Sequence, residues 1–299
     1  MSTGSQPTVV TGRDPVSIKE AVAGYYDTTL ELYEDLWGEH VHHGYWDPGE
    51  SPGTTGADRH AACDRTVREL ATFAGLRPGS VVLDVGCGIG GPALQLARDL
   101  DCTVEGITLS AQQAARATEK ADAAGFSGRT RFRQLDMLAN DLESESFDAV
   151  WALESLMHMP DPARFFAESL RVLRPGGTLA VANWAIRHGG LDAAEERLHQ
   201  QIKRHQISPG LQSLEEQEEM CRAAGFARVA LADWSDAVAN SWDPVFAMVP
   251  PPEGGRSFMR DLAREKGVDV LSFFYAGPLM KSGFDSGVVR YGALRGTKP

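Results

Sequence analysis

Histidine is the side chain whose ordinary pKa lets it exchange a proton near neutrality. Among the histidines, His158 stands out: in the run LMHMPD it follows directly on FDAVWAL, a short apolar stretch of strand type. A residue just beyond such a strand opens toward the ligand edge of an α/β sheet, which makes His158 the candidate acid or base. Read blandly, it only caps the turn before Pro160. Residues 82–91, VLDVGCGIGG, form a second candidate, an apolar strand, a glycine turn and the start of a helix. Glycine is needed where backbone must turn through φ > 0 or approach a ligand with no Cβ in the way. Gly86, Gly88 and Gly91 satisfy the dinucleotide pattern G-x-G-x-x-G, with Glu105 near the distance of a ribose-binding acid, so a dehydrogenase is a rival reading. Glu39, His40, His42 and His43 have metal-ligand chemistry, but neighbouring histidines on an irregular segment rarely converge on one ion, and no metal is expected.

These residues need elements to position them. Helical spacing of apolar groups runs over 15–37, loop composition over 47–56 (DPGESPGTTG), and a second helix is predicted over 58–75, closed by Gly75 and the Arg77-Pro78-Gly79 turn. From Val81 short apolar runs (VVLDVG, TVEGIT, TRFRQLD, FDAVWAL, GTLAVANW) alternate with helices predicted over 91–100, 111–124 and 162–173. Strands apolar on both faces and alternating with helices make a parallel sheet covered on both sides. Further strands are expected at 227–234 and 287–297. Segment 191–206 and the stretch between those last strands are expected to lie over the ligand edge as lids. The expected organisation is a disordered tail (1–14), an N-terminal helical cap (15–75), a ligand-binding core (76–190), and lid helices with the last core strands (191–299).

Composition narrows the partners. A formal net charge of −12 repels nucleic-acid backbones and anionic lipid surfaces, and no basic patch offsets it. No signal-peptide or membrane-spanning stretch is read, which predicts a cytoplasmic protein. The four cysteines, Cys63, Cys87, Cys102 and Cys221, include no C-x-x-C pair, so neither a disulfide framework nor a zinc site is expected.

In order and spacing, Asp84 before the glycines, QLDM ending in Asp136 and Met137, FDAVWALESLMHMPD, and LRPGGTLAVANW resemble the class I S-adenosylmethionine-dependent methyltransferases across residues 82–184. Tyr25-Tyr26-Asp27 and LWGEHVHHGYW are similar to a narrower group, which includes natural-product sugar O-methyltransferases of the rebeccamycin type and tocopherol and sterol C-methyltransferases; actinobacterial secondary-metabolite members look nearest. The resemblance implies a Rossmann-like α/β sheet with a helical N-terminal cap and helical lid insertions, and S-adenosylmethionine as cofactor. It also implies site roles. Backbone at Gly86 and Gly88 meets the methionyl part, and Asp84 holds the turn or, through water, the ammonium. Asp136 accepts from the adenine amino group, with Met137 and Leu109 on the ring faces. Leu153 supplies main chain near the methionyl group, and Tyr26 closes over the cofactor. Many members bind the ribose with an acid at the end of the second strand; here that position is Thr108, and Thr108 with Gln113 is expected to take its place. For Asp84 and Met137, turn support and core packing remain equal alternatives.

At the reacting end, sugar-hydroxyl methylating relatives carry His at Met157 and Asp at Asn183. Their absence makes the site more apolar and favours a carbon nucleophile over a hydroxyl. Tyr25, Trp46, Met157, Asn183 and Trp184 are the expected substrate contacts, from an aromatic pool that also holds Tyr45, Trp234, Phe273 and Phe274; aromatic faces can stabilise a developing cation. The expected substrate is a bulky apolar small molecule, and the N-terminal helix is expected to pack against a second subunit. A protein that keeps the fold but cyclises or only binds its ligand stays open, because fold does not dictate function.

Overall fold

The computed structural model describes residues 8–9, 16–50, 56–242 and 269–299. Of the expected N-terminal tail only Thr8 and Val9 are among them, pairing antiparallel with Val16 and Ser17. Residues 51–55 of the expected loop, much of the second lid segment and the side chains of Phe273 and Phe274 lie outside the described set.

Seven strands form the main sheet: β1 (Val81–Val85), β2 (Thr103–Thr108), β3 (Thr130–Gln134), β4 (Phe147–Leu153), β5 (Leu173–Ile186), β6 (Ala227–Asp233) and β7 (Val289–Thr297), in the order β3-β2-β1-β4-β5-β7-β6. The first five are parallel. The wholly parallel sheet expected from strand–helix alternation needs one correction: β7 runs antiparallel between β5 and β6. The reason lies late in the chain, where β7 inserts beside β5 instead of adding at the sheet edge, so the helical crossover rule stops applying. This is the Rossmann-like α/β sheet that the resemblance implies. A second difference is local: the Pro-Gly-Gly turn is absorbed into β5, which pairs Leu173 with Phe147, slips, and resumes at Thr178 opposite Ala149.

Helices α1 (Ile18–Trp37), α2 (Gly56–Ala74), α3 (Gly91–Leu100), α4 (Ala111–Ala124), α5 (Pro162–Val172), α6 (Ala193–His205), α7 (Leu214–Ala223), α8 (Ser235–Val238) and α9 (Asp269–Asp285) surround the sheet. Their starts are written in local chemistry. Ser17, Asp192 and Ser213 each make a reciprocal capping box with the glutamate three residues on. Ser110 caps α4 through the Gln113 N–H, and Asp161 caps α5 ahead of Pro162. The core lies on both faces of the sheet, one cluster around Val82, Trp151 and Trp184 and the other around Leu83, Phe165 and Phe166. Opposite-face neighbours in β1, Val82 and Leu83, are both fully buried, as a strand covered on both sides requires.

Helix α1 does not belong to a crossover. It is tied to the sheet's ligand edge by residues spaced two turns apart: Lys19 to Asp136, Tyr26 to His158 and Asp27 to Ser110, and Glu34 to Arg116 and Lys120. Positions seven to eight apart fall on one helical face, so one side of α1 is strapped over the ends of β2, β3 and β4.

Candidate functional site

A cleft of about 860 Å³, its open mouth included, lies where β1 and β2 end and α1 crosses. Gly86 and Gly88 line its floor. Gly86 sits at φ 80°, and a Cβ there would lie 2.3 Å from the Ser155 Cβ, so the turn is pressed against the end of β4 and only glycine fits. Gly88, at φ 53°, has nothing within 4 Å of the same position and leaves open room for a ligand to approach the backbone. Gly91 is glycine for another reason: a Cβ would come 2.0 Å from the Glu39 carbonyl oxygen, so the 39–43 segment closes directly onto the start of α3.

Around this floor stand Tyr26, Thr108, Leu109, Gln113, Asp136, Met137, Leu153 and His158, with Lys19, Ser110, Glu154 and Ser155 beside them. Thr108 donates to the Gln113 side-chain oxygen at 2.7 Å, which locks the pair together and leaves the Gln113 amide N–H groups as donors at the cleft. Asp136 is already engaged, by Lys19 on one oxygen and by the Leu138 N–H at 2.9 Å on the other; each oxygen keeps further lone-pair capacity. Asp84 does not line the cleft. It is buried beneath the turn, one carboxylate oxygen has no partner, and burial pushes its pKa up to about 7.

His158 spends both ring nitrogens. Nδ1 lies 3.2 Å from the Ile207 carbonyl, which can only accept, so that nitrogen carries the proton; Nε2 then accepts from the Tyr26 hydroxyl at 3.0 Å. Burial lowers the His158 pKa, so the ring is neutral at pH 7. Ile207 holds its carbonyl there from φ 49°, a left-handed conformation that costs a β-branched residue about 1–3 kcal/mol. It follows directly on α6 and Gln206, so segment 191–206 does reach the site, at its C-terminal end.

A second cavity of about 390 Å³ adjoins the first, and the two share Tyr26, Val41 and Glu154 as lining. Its other walls are Tyr33, His42, His43, Met157, Trp184, Gln206 and Trp242. Of the expected substrate contacts, Met157 and Trp184 line it, whereas Tyr25, Trp46 and Asn183 line neither cavity. Tyr25 is buried against Tyr26 and Tyr33, and Trp46 packs under Gly44. The Asn183 side chain accepts from the Met157 N–H at 3.3 Å and donates to the Trp184 carbonyl at 3.0 Å, so it holds the wall in shape.

Sequence reasoning missed Glu154. Buried at φ 51°, its carboxylate accepts the His43 main-chain N–H at 2.8 Å, His43 Nδ1 at 3.0 Å and the Tyr291 hydroxyl at 3.0 Å. Burial alone would raise its pKa, but the His43 ring and N–H outweigh that and hold it below the ordinary glutamate value. The signal was available: a lone acid inside the apolar run VWALESLM needs a partner. The 40–43 histidines do not gather on one point. His40 Nε2 pairs with Asp64 at 2.8 Å, His42 Nε2 meets His40 Nδ1 at 3.1 Å, and His42 Nδ1 donates to the His43 carbonyl at 2.9 Å. Among the described residues no group of three His, Cys, Asp or Glu side chains is placed to hold a metal ion. No described helix is long and apolar enough to cross a membrane. Glu105, the acid a dinucleotide site would need, instead pairs with Arg133 at 3.0 Å and does not line the cleft.

A glycine floor, Asp136 with Leu109 and Met137 beside it, and the Thr108–Gln113 pair thus line a single cleft. Residues 83–181 match the family model described as a methyltransferase domain. The chloroplastic tocopherol O-methyltransferase of Arabidopsis thaliana is 32% identical over 296 residues, 95% of this chain and 83% of the relative. The 27-O-demethylrifamycin SV methyltransferase of Amycolatopsis mediterranei (strain S699) is 38% identical over 222 residues, 73% of this chain and 77% of the relative. Among solved structures, the [4+2]-cyclase SpnF superposes with a TM-score of 0.77 at 30% identity, covering 94% of this chain and 96% of that one. With a relative 32% identical over 95% of its length and a methyltransferase domain matched within it, the chain belongs to the S-adenosylmethionine-dependent methyltransferases.

Proposed function

We propose that the protein methylates a bulky, apolar small molecule of secondary metabolism, at an electron-rich carbon in preference to a hydroxyl oxygen. The observation that carries this is the shared wall: a cleft suited to the donor opens across Tyr26, Val41 and Glu154 onto a separate aromatic chamber. Bound in the cleft, S-adenosylmethionine supplies an electrophilic methyl carbon whose bonding pair leaves with sulfur. The rest falls to the chain's own residues. Backbone at Gly86, Gly88 and Leu153 would hold the methionyl part, Thr108 and Gln113 the ribose, and Asp136, Leu109 and Met137 the adenine. Tyr26, fixed by His158, closes the cleft and keeps water out of the alignment, from which most of the rate of a displacement at carbon can come. Because His158 Nε2 is taken by the Tyr26 hydroxyl, any proton His158 accepts from a substrate passes through Tyr26. Trp184 and Trp242 line the chamber, where an aromatic ring can stabilise a developing cation, and Met157 keeps that side apolar.

Incubation with methyl-labelled donor and a panel of prenylated phenols, indoles and macrolide alcohols is expected to yield a carbon-methylated product with one S-adenosylhomocysteine per methyl group. A product carrying label on oxygen alone refutes the preference for carbon. The likeness to SpnF supports a second reading, in which the chamber cyclises its substrate and the donor stays intact; product formation without S-adenosylhomocysteine would select it.

A further inference from the structure

The turn that ends α6 is strained and anchored on both sides. Ile207 sits at φ 49°, its carbonyl is taken by His158 Nδ1, and the Ser208 hydroxyl donates to the Met157 carbonyl at 2.8 Å. The Ser208 N–H returns to the Lys203 carbonyl at 3.0 Å and closes the helix end. Strain of this kind persists where the surrounding contacts over-determine it, and it gathers at functional positions. The residue that this turn carries into the chamber wall is Gln206, only 6% exposed. Its main-chain N–H bonds the Ile202 carbonyl, but its side-chain amide makes no hydrogen bond among the described residues and caps none of the α6 carbonyls. A buried amide without partners costs stability, so neither capping nor packing accounts for it.

The other polar groups of the chamber are committed or enclosed. The Tyr26 hydroxyl bonds His158, and the Tyr33 hydroxyl meets that of Tyr25 at 3.0 Å. His42 spends one ring nitrogen on the His43 carbonyl and the other on His40. Glu154 is filled by His43 and Tyr291, and the Trp184 indole N–H is turned to His43 Nδ1 at 3.3 Å. His43 Nε2 and Trp242 Nε1 are sealed from the cavity, whereas the Gln206 amide keeps accessible surface. No Lys or Arg is among the described residues lining the chamber, and Glu154 is, so a phosphate or carboxylate on the ligand would find no counter-ion there. What the wall offers a ligand is one neutral carboxamide in an aromatic enclosure.

We propose that Gln206 is the specificity-determining residue of the chamber, and that the methyl acceptor is a neutral molecule carrying a cis-amide, as in a lactam, on its apolar body. A carboxamide holds an acceptor oxygen and an N–H donor on one edge, and a cis-amide presents N–H and C=O side by side, so the two edges close through a pair of antiparallel hydrogen bonds. A lone hydroxyl answers one half of that edge at a time. An analogue without the amide leaves the Gln206 side chain buried and unpaired, which is how a polar group in an apolar site rejects the wrong ligand. This deepens the methyltransferase reading and rests on it.

The test is calorimetry on the protein saturated with S-adenosylhomocysteine, with 2-quinolinone, a fused-ring lactam, set against N-methyl-2-quinolinone and 2-naphthol. Wild-type protein is expected to bind 2-quinolinone at least tenfold more tightly than either of the others. Gln206→Met, which keeps the length but removes the amide, is expected to bring the three within about twofold while melting no lower than wild type. Equal affinities in wild type, a preference that survives in Gln206→Met, or no binding of any probe overturns the proposal. In wild-type protein carrying nitrogen-15 glutamine, the Gln206 side-chain signals are expected to move when 2-quinolinone is added; signals that stay in place with the probe bound overturn it even where the variant does not fold. The donor titration separates the two levels of failure. Intact S-adenosylhomocysteine binding without an amide preference sinks the role of Gln206 alone, and no binding to folded wild-type protein sinks the methyltransferase reading beneath it.

Discussion

Two glycines two residues apart carry opposite demands. At Gly86 a methyl group meets Ser155 at 2.3 Å in a left-handed backbone, so Gly86→Ala is expected to lose about 2–4 kcal/mol of stability in urea titration. At Gly88 the same methyl group meets nothing, and Gly88→Ala is expected to cost only about 1 kcal/mol of stability while weakening S-adenosylhomocysteine binding at least tenfold by calorimetry, since the added group projects into the space proposed for the donor. Asp84 gives a pH signature. Its folded-state pKa of about 7 lies above the ordinary 3.8, so between those values the folded protein binds the extra proton. Stability of the ligand-free protein is therefore fully present below about pH 4 as far as this group is concerned, and falls as pH rises toward 7, by on the order of 4 kcal/mol. Asp84→Asn is expected to flatten that slope in thermal melts at pH 5 to 8; an unchanged slope would mean that a partner the structure does not show satisfies the carboxylate.

At the scale of elements, α1 is the part on which closure depends. Lys19, Val22, Ala23 and Tyr26 line the cleft from a single helix tied down by Lys19, Tyr26, Asp27 and Glu34, and the ion pairs of Lys19 and Glu34 are partly exposed. Partly exposed ion pairs contribute little each, so α1 should open locally before the sheet does. Hydrogen exchange is expected to be fast in α1 relative to β1 and β4, and to slow in α1 at least tenfold when S-adenosylhomocysteine is added. Protection spread evenly over the sheet, with none gained in α1, would argue against a cap. The pairing of α1 with its own core also bears on what could be read beforehand. The helical period over 15–37 was legible, and the helix starts after the Ser17 cap, but which residues faced the cleft depended on where the helix lay relative to segments more than 80 positions away.

For the whole molecule the acidic balance is the dominant long-range property. With a net charge of −12, no retardation of duplex DNA and no sedimentation with anionic vesicles are expected at about 50 mM salt, the condition that exaggerates electrostatic attraction. Binding that weakens steeply with salt would overturn this expectation. Removal of metal by a chelator is expected to leave melting temperature and turnover unchanged, since His40, His42 and His43 are occupied with Asp64, Glu154 and one another.

By itself the sequence determined what local chemistry controls: the glycine turn and the strand–helix alternation; the residues expected around the cofactor came from the family resemblance. The turn and the alternation depend on backbone conformation and burial period, which are short-range properties of the chain. Only the tertiary structure decided that β7 turns antiparallel, that Tyr25, Trp46 and Asn183 stand behind the cavity walls, and that His43 meets Glu154 across 111 positions. A hydrogen bond between distant residues is set by how whole elements pack, to within a fraction of an ångström, and no spacing along the chain encodes that distance.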